Sequence, residues 1–257
     1  ETLNLDGNGL TAIDVTAITT LERLYLDDNS ISDLDLTNNP ALDRLEIYNN
    51  DLDTLDLSAN PQLTFLQCSE NDLTSLDLSN NPVLTEVGCF GNLLPELDLS
   101  NNPDLEVLSC GRNLLTELDL QANDSITTLE CPRNDIDTLL LDDKHRLEFL
   151  IFNDNAVRFL STTGDTALRR VIGLSNELTS VDFSTNHNIE WLTLPFNQLS
   201  TLDLSTLPDL ERLEVNNNRL TNLDVSSNPL LDYVRCSANQ LYALDFSNTP
   251  NLNYLRC

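Results

Sequence analysis

Six cysteines could supply disulfide or metal chemistry, and all of them fall on one regular row. Four follow one another at intervals of 21 residues, and the last two are again 21 residues apart: Cys68, Cys89, Cys110, Cys131, Cys236 and Cys257. A zinc site would need clustered ligands such as a CxxC pair, which the sequence lacks. A disulfide between successive repeats meets the distance range, but in-register parallel strands give poor sulfur geometry. We therefore predict buried, reduced thiols that pack as small apolar side chains, with a disulfide or a metal as disfavoured alternatives.

Aspartates form a second row with the same spacing. The row is interrupted only by Leu140 and Ser161, and it comprises Asp14, Asp35, Asp56, Asp77, Asp98, Asp119, Asp182, Asp203, Asp224 and Asp245. A Ser or Thr follows many of these residues two positions later. We predict a solvated wall whose carboxylates accept hydrogen bonds from the nearby hydroxyls and turn amides. Weak binding of divalent cations to this row is the alternative, because carboxylate oxygens suit calcium.

The sequence gives little support to catalysis. His145 and His187 share one repeat position two repeats apart, without a nucleophile or carboxylate motif around them. The seven glycines are scattered, so no phosphate-binding loop is present. The carboxylates are explained by their regular rows without a cleft between them. We predict that the protein is not an enzyme and has no cofactor.

These rows follow from a repeat of 21 residues that runs through the chain without insertion or deletion. An aliphatic residue recurs from Leu21 to Leu252 and is taken here as repeat position 0. An asparagine stands at position 8 of each full repeat: Asn29, Asn50, Asn71, Asn92, Asn113, Asn134, Asn155, Asn176, Asn197, Asn218 and Asn239. A constant period predicts a solenoid. We expect each of these asparagines to turn inward and bind the backbone of its own turn and of the next coil.

The apolar pattern within each repeat predicts the elements that position these rows. Positions 3 and 5 alternate with polar residues, which predicts a half-buried strand in a main parallel sheet. A second alternation around positions 13 and 15 predicts short parallel strands or turns on the opposite wall, with little or no α-helix. We predict that residues 1–257 form a single solenoid domain of about eleven full coils, with partial coils at both ends.

The motifs LxxLxxLxxN and LDLSxNPxL carry a family resemblance. The second motif occurs as LDLSNNPVL from Leu76 to Leu84 and resembles bacterial leucine-rich repeats. The length of 21 residues, with cysteine at position 5, is similar to internalin J and related surface proteins with short nested repeats. The resemblance implies a leucine-rich-repeat β-solenoid, and a secreted or cell-surface bacterial module for recognition or adhesion.

The charge of the chain excludes some partners. It has 13 basic and 42 acidic residues, a formal charge of −29. Such a surface repels nucleic acid and anionic lipid, so we predict no binding of nucleic acid. No apolar run approaches the ~18 residues that cross a bilayer, so we also predict no membrane insertion. The sequence has no signal peptide and no Met, and we expect it to be a processed or trimmed segment.

Positions 2, 4, 6 and 7 are predicted to face outward on the main sheet. Their composition differs from that of the other positions of the repeat. They carry eight basic and nine acidic residues, so this face is nearly neutral while the remaining surface holds almost all of the negative charge. They also hold nine of the fourteen aromatic residues. Arginine and aromatic side chains are enriched at binding hot spots. A β surface favours aromatic residues by itself, but this preference does not explain the arginines.

Residues 139–174 depart from the consensus and define the centre of a predicted ligand-binding surface. Core packing explains the large Phe152 beside Gly173, but it does not explain the apolar residues that face outward. The partner is predicted to be a protein, or alternatively a polysaccharide, since aromatic and arginine side chains also suit sugar rings and their anionic groups. The predicted surface comprises Phe149, Ile151, Arg170, Ile172, Leu174, Trp191, Phe196, Arg212, Tyr233 and Arg235.

Overall fold

The computed structural model describes all 257 residues, which form two compact units, Glu1–Ile126 and Thr127–Cys257. Each unit is a parallel β-solenoid without α-helix, as the repeat predicts. Accordingly, no helix with the length and apolar character of a membrane span is found. That the whole chain behaves as one domain remains a prediction.

The first unit contains six parallel strands in chain order. They are β1 (Thr2–Asn4), β2 (Arg23–Tyr25), β3 (Arg44–Glu46), β4 (Phe65–Gln67), β5 (Glu86–Gly88) and β6 (Val107–Ser109). Each strand pairs with the next at a register of one repeat, so that Leu24 lies beside Leu45 and Leu45 beside Leu66. Equivalent residues of successive coils therefore form straight rows across the sheet.

The second unit has a main sheet of seven strands and a small second sheet. The main-sheet strands are β7 (Thr128–Glu130), β9 (Phe149–Ile151), β11 (Arg170–Ile172), β12 (Trp191–Thr193), β13 (Arg212–Glu214), β14 (Tyr233–Arg235) and β15 (Tyr254–Arg256). The second sheet pairs β8 (Thr138–Leu140) with β10 (Phe159–Ser161), also in parallel. In both sheets the register again advances by one repeat.

Each main-sheet strand covers repeat positions 2–4 and turns only its central residue into the core. In the second unit the central residues Leu150, Val171, Leu192 and Leu213 have no exposed surface. Their neighbours on either side are half-buried, except for the buried Glu214. This alternation is what the pleat of a strand imposes on a sheet with one solvated face. It places positions 2 and 4 on the outer surface, as predicted.

Positions 6 and 7 were predicted to lie on the sheet, but the structure places them in the turn that follows it. The residue at position 7 has a left-handed backbone in coil after coil, whatever its side chain: Asp28, Asn49, Glu70, Arg112, Arg133, Asp154, Ser175, Phe196, Asn217 and Ala238. The chain must bend sharply here to leave the strand, and a left-handed residue makes that bend. The predicted site residues Leu174 and Phe196 therefore lie beyond the strand ends.

The asparagine row at position 8 is structural, with one difference from the prediction. Asn71 donates from Nδ2 to the carbonyl of Cys68 in its own coil at 3.2 Å and to that of Ile47 at 2.8 Å. Its Oδ1 accepts the amide of Leu52 at 3.0 Å. Ile47 and Leu52 precede Asn71, so the row binds the preceding coil and not the next one. These bonds pair backbone groups that the strands leave unpaired at the corner.

A second asparagine row, at position 18, was not predicted from the sequence. Its members are fully buried and comprise Asn39, Asn60, Asn81, Asn102, Asn123, Asn186 and Asn228. Asn60 is representative, because its Nδ2 donates to the carbonyls of Leu36 at 3.2 Å and Asn39 at 2.9 Å. Two consecutive coils of the second unit replace this asparagine with Lys144 and Asp165, which are also buried.

The opposite wall is made of turns in most coils and of strand in two. Asp35 is representative of the aspartate row, because its Oδ1 accepts both the amide and the hydroxyl of Thr37, at 2.9 and 2.6 Å. This local bond competes with strand pairing. The two coils that lack the aspartate, at Leu140 and Ser161, are those that form β8 and β10. Loss of the aspartate therefore coincides with the change from turn to strand.

Candidate functional site

Eight of the ten predicted site residues lie in two rows on the outer face of the second unit's main sheet. The register pairs Phe149 with Arg170 and Ile151 with Ile172, and it continues from Arg170 to Trp191. The first row then adds Arg212 and Tyr233, and the second row adds Arg235. All eight side chains belong to half-buried residues. Leu174 is half-buried and Phe196 is 54% exposed, both at the edge where the strands end.

The first row forms a continuous stack of rings and guanidinium groups. Its members, in strand order, are Phe149, Arg170, Trp191, Arg212, Tyr233 and Tyr254. Arg170 Cζ lies 5.4 Å from the ring centre of Phe149 and 4.0 Å from that of Trp191. Arg212 Cζ lies 5.7 Å from Trp191 and 4.2 Å from Tyr233. The rings of Tyr233 and Tyr254 stack with centres 4.4 Å apart. Each guanidinium is held between two rings, an attraction of about 0.5–2 kcal/mol per contact.

Glu214 also belongs to this surface, although it was not among the site residues predicted from the sequence. It is 7% exposed and binds Arg212 Nη2 through Oε1 at 2.5 Å and Arg235 Nη1 through Oε2 at 3.1 Å. A spacing of two residues on a strand places Arg212 and Glu214 on the same face. The pattern Arg-x-Glu therefore carried a signal for this ion pair. One carboxylate fixes two arginines and leaves this half of the surface polar and rigid.

The other half of the surface is apolar around an arginine without a carboxylate. Ile151 and Ile172 occupy the row in which Glu214 lies two coils further on. Arg170 makes no side-chain hydrogen bond or ion pair, and its Nε is buried without a partner. The guanidinium of Arg170 is therefore held only by the rings of Phe149 and Trp191.

In the core beneath this half, the large side chain of Phe152 packs against Gly173, which has no side chain. Phe152 is fully buried and its ring fills the space above Gly173, where an added Cβ would overlap it. The predicted pairing of large with small is thus present. The ring supports β9 and β11 from below, which are the strands that carry Phe149 and Arg170.

The outer face of the first unit is more thoroughly ion-paired. Arg44 lies 3.4 Å from the centre of the Phe65 ring and binds Glu46 at 2.6 Å, another Arg-x-Glu pair. Arg23 lies 3.7 Å from the carboxylate of Asp43. A shallow depression of about 360 Å³ is lined by Arg23, Tyr25, Asp43, Arg44, Glu46, Thr64 and Phe65. Its arginines are already neutralised, which leaves less charge for a ligand than in the second unit.

Five of the six cysteines are buried in the core as predicted, and the prediction is wrong for the sixth, Cys257, which belongs to the last coil. Cys68, Cys89, Cys131 and Cys236 are buried without a disulfide, while Cys257 is exposed. Burial raises the pKa of Cys89 and of Cys131 to about 12, and that of Cys236 to about 11. The thiolate is the form that attacks electrophiles and binds metal, so these buried side chains are held in the inert form.

The two histidines bind the turns of neighbouring coils. Nδ1 of His145 lies 2.8 Å from the carbonyl oxygen of Gly164, and Nδ1 of His187 lies 3.1 Å from that of Thr206. Both carbonyls belong to the coil that follows. This repeated contact with backbone explains why the histidines share a repeat position.

Comparison with known proteins gives a result at the level of structure. No family model matches the chain, and no curated protein sequence matches it. The functional domain of internalin J from Listeria monocytogenes, which includes a cysteine ladder, is similar with a TM-score of 0.89 and 31% identity. The similarity covers 99% of this chain and 62% of that domain, so the chain spans less than two thirds of its length.

Two further bacterial structures share the fold. An internalin F from Listeria monocytogenes strain 4b F2365 has a TM-score of 0.77 and 20% identity, over 98% of this chain and 85% of that one. YopM from Yersinia enterocolitica WA-314 has a TM-score of 0.64 and 26% identity, over 99% and 64%. The fold of the chain is thus that of bacterial leucine-rich-repeat proteins.

Proposed function

We propose that this chain, a bacterial leucine-rich-repeat protein with 21-residue repeats resembling internalin J, is a non-catalytic module that recognises a protein partner. The binding surface is the outer face of the second unit's main sheet. The observation that carries the proposal is the row from Phe149 to Tyr254, in which arginines and rings stack continuously beside Ile151 and Ile172. Rigid aromatic and arginine side chains around an apolar centre are the usual composition of a binding hot spot.

The geometry of the rings favours a protein over a polysaccharide. A sugar ring stacks on the open face of an aromatic side chain. Trp191 has an arginine beside each face, and Tyr233 has Arg212 beside one face and Tyr254 beside the other. With both faces covered, these rings leave their edges to a ligand, and ring edges on a surface that also carries Ile151 and Ile172 suit the apolar side chains of a protein partner.

We place this module outside the cell, secreted or attached to the bacterial surface, on the resemblance of its repeats to internalins. The formal charge of −29 supports the accompanying proposal that it binds neither nucleic acid nor anionic lipid.

Binding is tested by replacing Phe149 and Trp191 with Ser, singly and together. The expected result is a loss of affinity of about 30-fold or more in the double variant, because hot-spot truncations cost ≥ 2 kcal/mol. The matched control is Phe159→Ser, a phenylalanine 56% exposed on the opposite wall of the same unit. Pulldown from host-cell extract with mass spectrometry, beside a glycan array, identifies the class of partner.

Several outcomes decide the proposal. Partners retained by wild type and Phe159→Ser but lost by Phe149→Ser/Trp191→Ser support it, provided that thermal melting shows both variants folded. Glycan binding that collapses with added salt favours an anionic polysaccharide instead. Unchanged capture by the double variant would mean that the surface has been assigned wrongly.

A further inference from the structure

We propose that Arg170 is the anion-binding centre of this surface and takes the carboxylate of an Asp or Glu that apolar residues flank in a peptide segment of the partner. This inference rests on the proposed function and adds the chemistry of the partner to it.

Arg170 differs from the other arginines at the same repeat position. Four arginines occupy position 2 of a main-sheet strand, and three of them have a carboxylate within 4 Å. Arg44 binds Glu46, Arg212 binds Glu214, and Arg23 lies 3.7 Å from Asp43. The fourth, Arg170, has Ile172 where the Arg-x-Glu pattern would place a glutamate. Its guanidinium is the one in this set that the protein does not neutralise.

The unpaired guanidinium of Arg170 is already held in position. The rings of Phe149 and Trp191 lie on either side of the guanidinium, at 5.4 and 4.0 Å from Cζ. Its Nε is buried without a partner. A guanidinium fixed in this way loses little further freedom on binding, and its planar N–H groups suit the two oxygens of a carboxylate. An internal carboxylate pairs with the equivalent Arg212, whose Nε and Nη2 both donate to Oε1 of Glu214.

The apolar residues around Arg170 select the kind of anion that it binds. Ile151 and Ile172 lie beside Phe149 and Arg170 on adjacent strands about 4.8 Å apart. Apolar neighbours exclude water and strengthen a charge-assisted hydrogen bond. A chain of formal charge −29 repels a polyanion at long range. A segment with one carboxylate between apolar side chains avoids that repulsion and covers the isoleucines as well.

The test uses a phage library of random linear peptides selected on the full chain, in parallel on Arg170→Gln, Phe149→Ser/Trp191→Ser and Arg158→Gln. Arg158 is the matched control, since it is an exposed arginine paired with Glu177. We expect wild type and Arg158→Gln to enrich peptides with an acidic residue among apolar ones. Arg170→Gln should lose the acidic preference and keep the apolar one.

An enriched peptide is then synthesised with its acidic residue and with the matching amide, and both are titrated against each protein by calorimetry. Wild type should bind the acidic form at least tenfold more tightly, and Arg170→Gln should bind both forms alike. A second variant, Ile172→Glu, supplies an internal carboxylate to Arg170 and should lower affinity for the acidic form tenfold or more. Circular dichroism and thermal melting confirm that each variant is folded.

The outcomes separate this inference from the proposed function. Peptides that need Phe149 and Trp191 but show no acidic preference overturn the role of Arg170 and leave the surface standing. Peptides indifferent to Phe149→Ser/Trp191→Ser overturn the surface itself. No enrichment on wild type overturns the assignment of a peptide segment as the occupant.

Discussion

At the scale of single residues, the structure gives special importance to positions where the repeat changes its side chain. Asp165 replaces an asparagine of the buried row at position 18. Its Oδ1 accepts the amide of Lys144 at 2.7 Å, whereas its Oδ2 has no partner. Burial is the main cause that raises the pKa of Asp165 to about 7. The hydrogen bond from the Lys144 amide opposes this shift, the charge of Asp142 adds to it, and the charges of His145 and Lys144 lower the pKa.

Replacing Asp165 with Asn restores the consensus and should change how stability depends on pH. A raised carboxyl pKa means that the folded state holds a proton that the unfolded state has lost. The stability contributed by Asp165 is therefore complete below about pH 4 and falls as pH rises through about 7. Between pH 5 and pH 8 we expect wild type to lose on the order of 2 kcal/mol relative to Asp165→Asn.

Urea unfolding at several pH values measures this difference. His145→Gln, in the adjacent turn of the preceding coil, is the control for a substitution near Asp165 that leaves the buried position unchanged. Parallel pH profiles for wild type and Asp165→Asn would show that Asp165 titrates at its ordinary pKa.

Gly173 is a second residue that departs from the repeat, and the structure shows the cause. Position 5 is held by Cys or an aliphatic residue in the other coils except the preceding one, where it is Phe152, and the Phe152 ring occupies the space beside Gly173. We expect Gly173→Ala to destabilise by about 1–3 kcal/mol through overpacking. The double variant Phe152→Leu/Gly173→Ala should recover part of that loss, because the smaller side chain makes room.

Chemical denaturation of the two single variants and the double variant gives the coupling energy between them. Gly88→Ala serves as the comparison, since a Cβ at Gly88 meets the movable end of the Gln67 side chain. Additive effects of Phe152→Leu and Gly173→Ala would contradict direct contact as the cause.

At the scale of elements, the opposite wall forms turns in the coils that carry the aspartate and strands in the two that lack it. Hydrogen bonds from the hydroxyl and amide of Thr37 lower the pKa of Asp35, and Ser or Thr acts in the same way on Asp56 and Asp77. The carboxylates are thus engaged by their own turns. Their predicted role as a solvated wall agrees with these contacts, and the coils without the aspartate pair as β8 and β10.

Asp35→Ala should destabilise the protein at neutral pH and have a smaller effect in acid. A lowered carboxyl pKa contributes stability above the unfolded-state pKa, and this stability is lost as pH falls through the folded-state pKa. We expect a fall in melting temperature of a few degrees at pH 7 that shrinks below pH 4. Asp33→Ala removes an equal charge from an exposed position of the same coil without removing a turn bond, so scanning calorimetry on both isolates the turn. Equal effects of the two substitutions at pH 7 would rule out the turn bond as the cause.

At the scale of the whole molecule, binding of a partner depends more on where the charges lie than on the net charge. The formal charge is −29, but positions 2 and 4, which form the outer face of the main sheet, hold six basic and four acidic residues. The aspartate row supplies ten of the remaining acidic residues. Repulsion among these carboxylates opposes the folded state, and the nearly neutral face stays available for a partner.

Salt should therefore stabilise the protein, and calcium should add nothing beyond its ionic strength. Screening weakens the repulsion between neighbouring carboxylates. The Asp35 carboxylate is already occupied by Thr37, and no group of three or more acidic, His or Cys side chains converges as cation ligands do. Calorimetric melting in NaCl and CaCl₂ at matched ionic strength measures both effects. An excess rise with CaCl₂ would establish the cation alternative for the aspartate row.

Much of the fold could be predicted from the sequence, because an unbroken period fixes the phase of every side chain. Leu150 and Val171 had to point inward once the register was constant, and Phe149, Arg170 and Trp191 had to point outward beside each other. The same constant period predicted that Cys89 lies in the core and that the aspartate row forms a solvated wall. Periodicity alone could not mark the end of each strand, so Leu174 and Phe196 were assigned to the sheet and lie in the turn.

An Arg-x-Glu pair can be read from the sequence, but only the tertiary structure decided that Arg23 lies beside Asp43 of the following coil while Arg170 has no carboxylate nearby. Arg212 and Arg235 share Glu214, while Arg170 has rings on both sides and no acceptor. The repeat specifies where each Cα lies, but ion pairing and ring stacking depend on the rotamers of long side chains and on neighbours one coil away. The position of the surface is therefore a property of the sequence period, and its unneutralised charge is a property of the packed molecule.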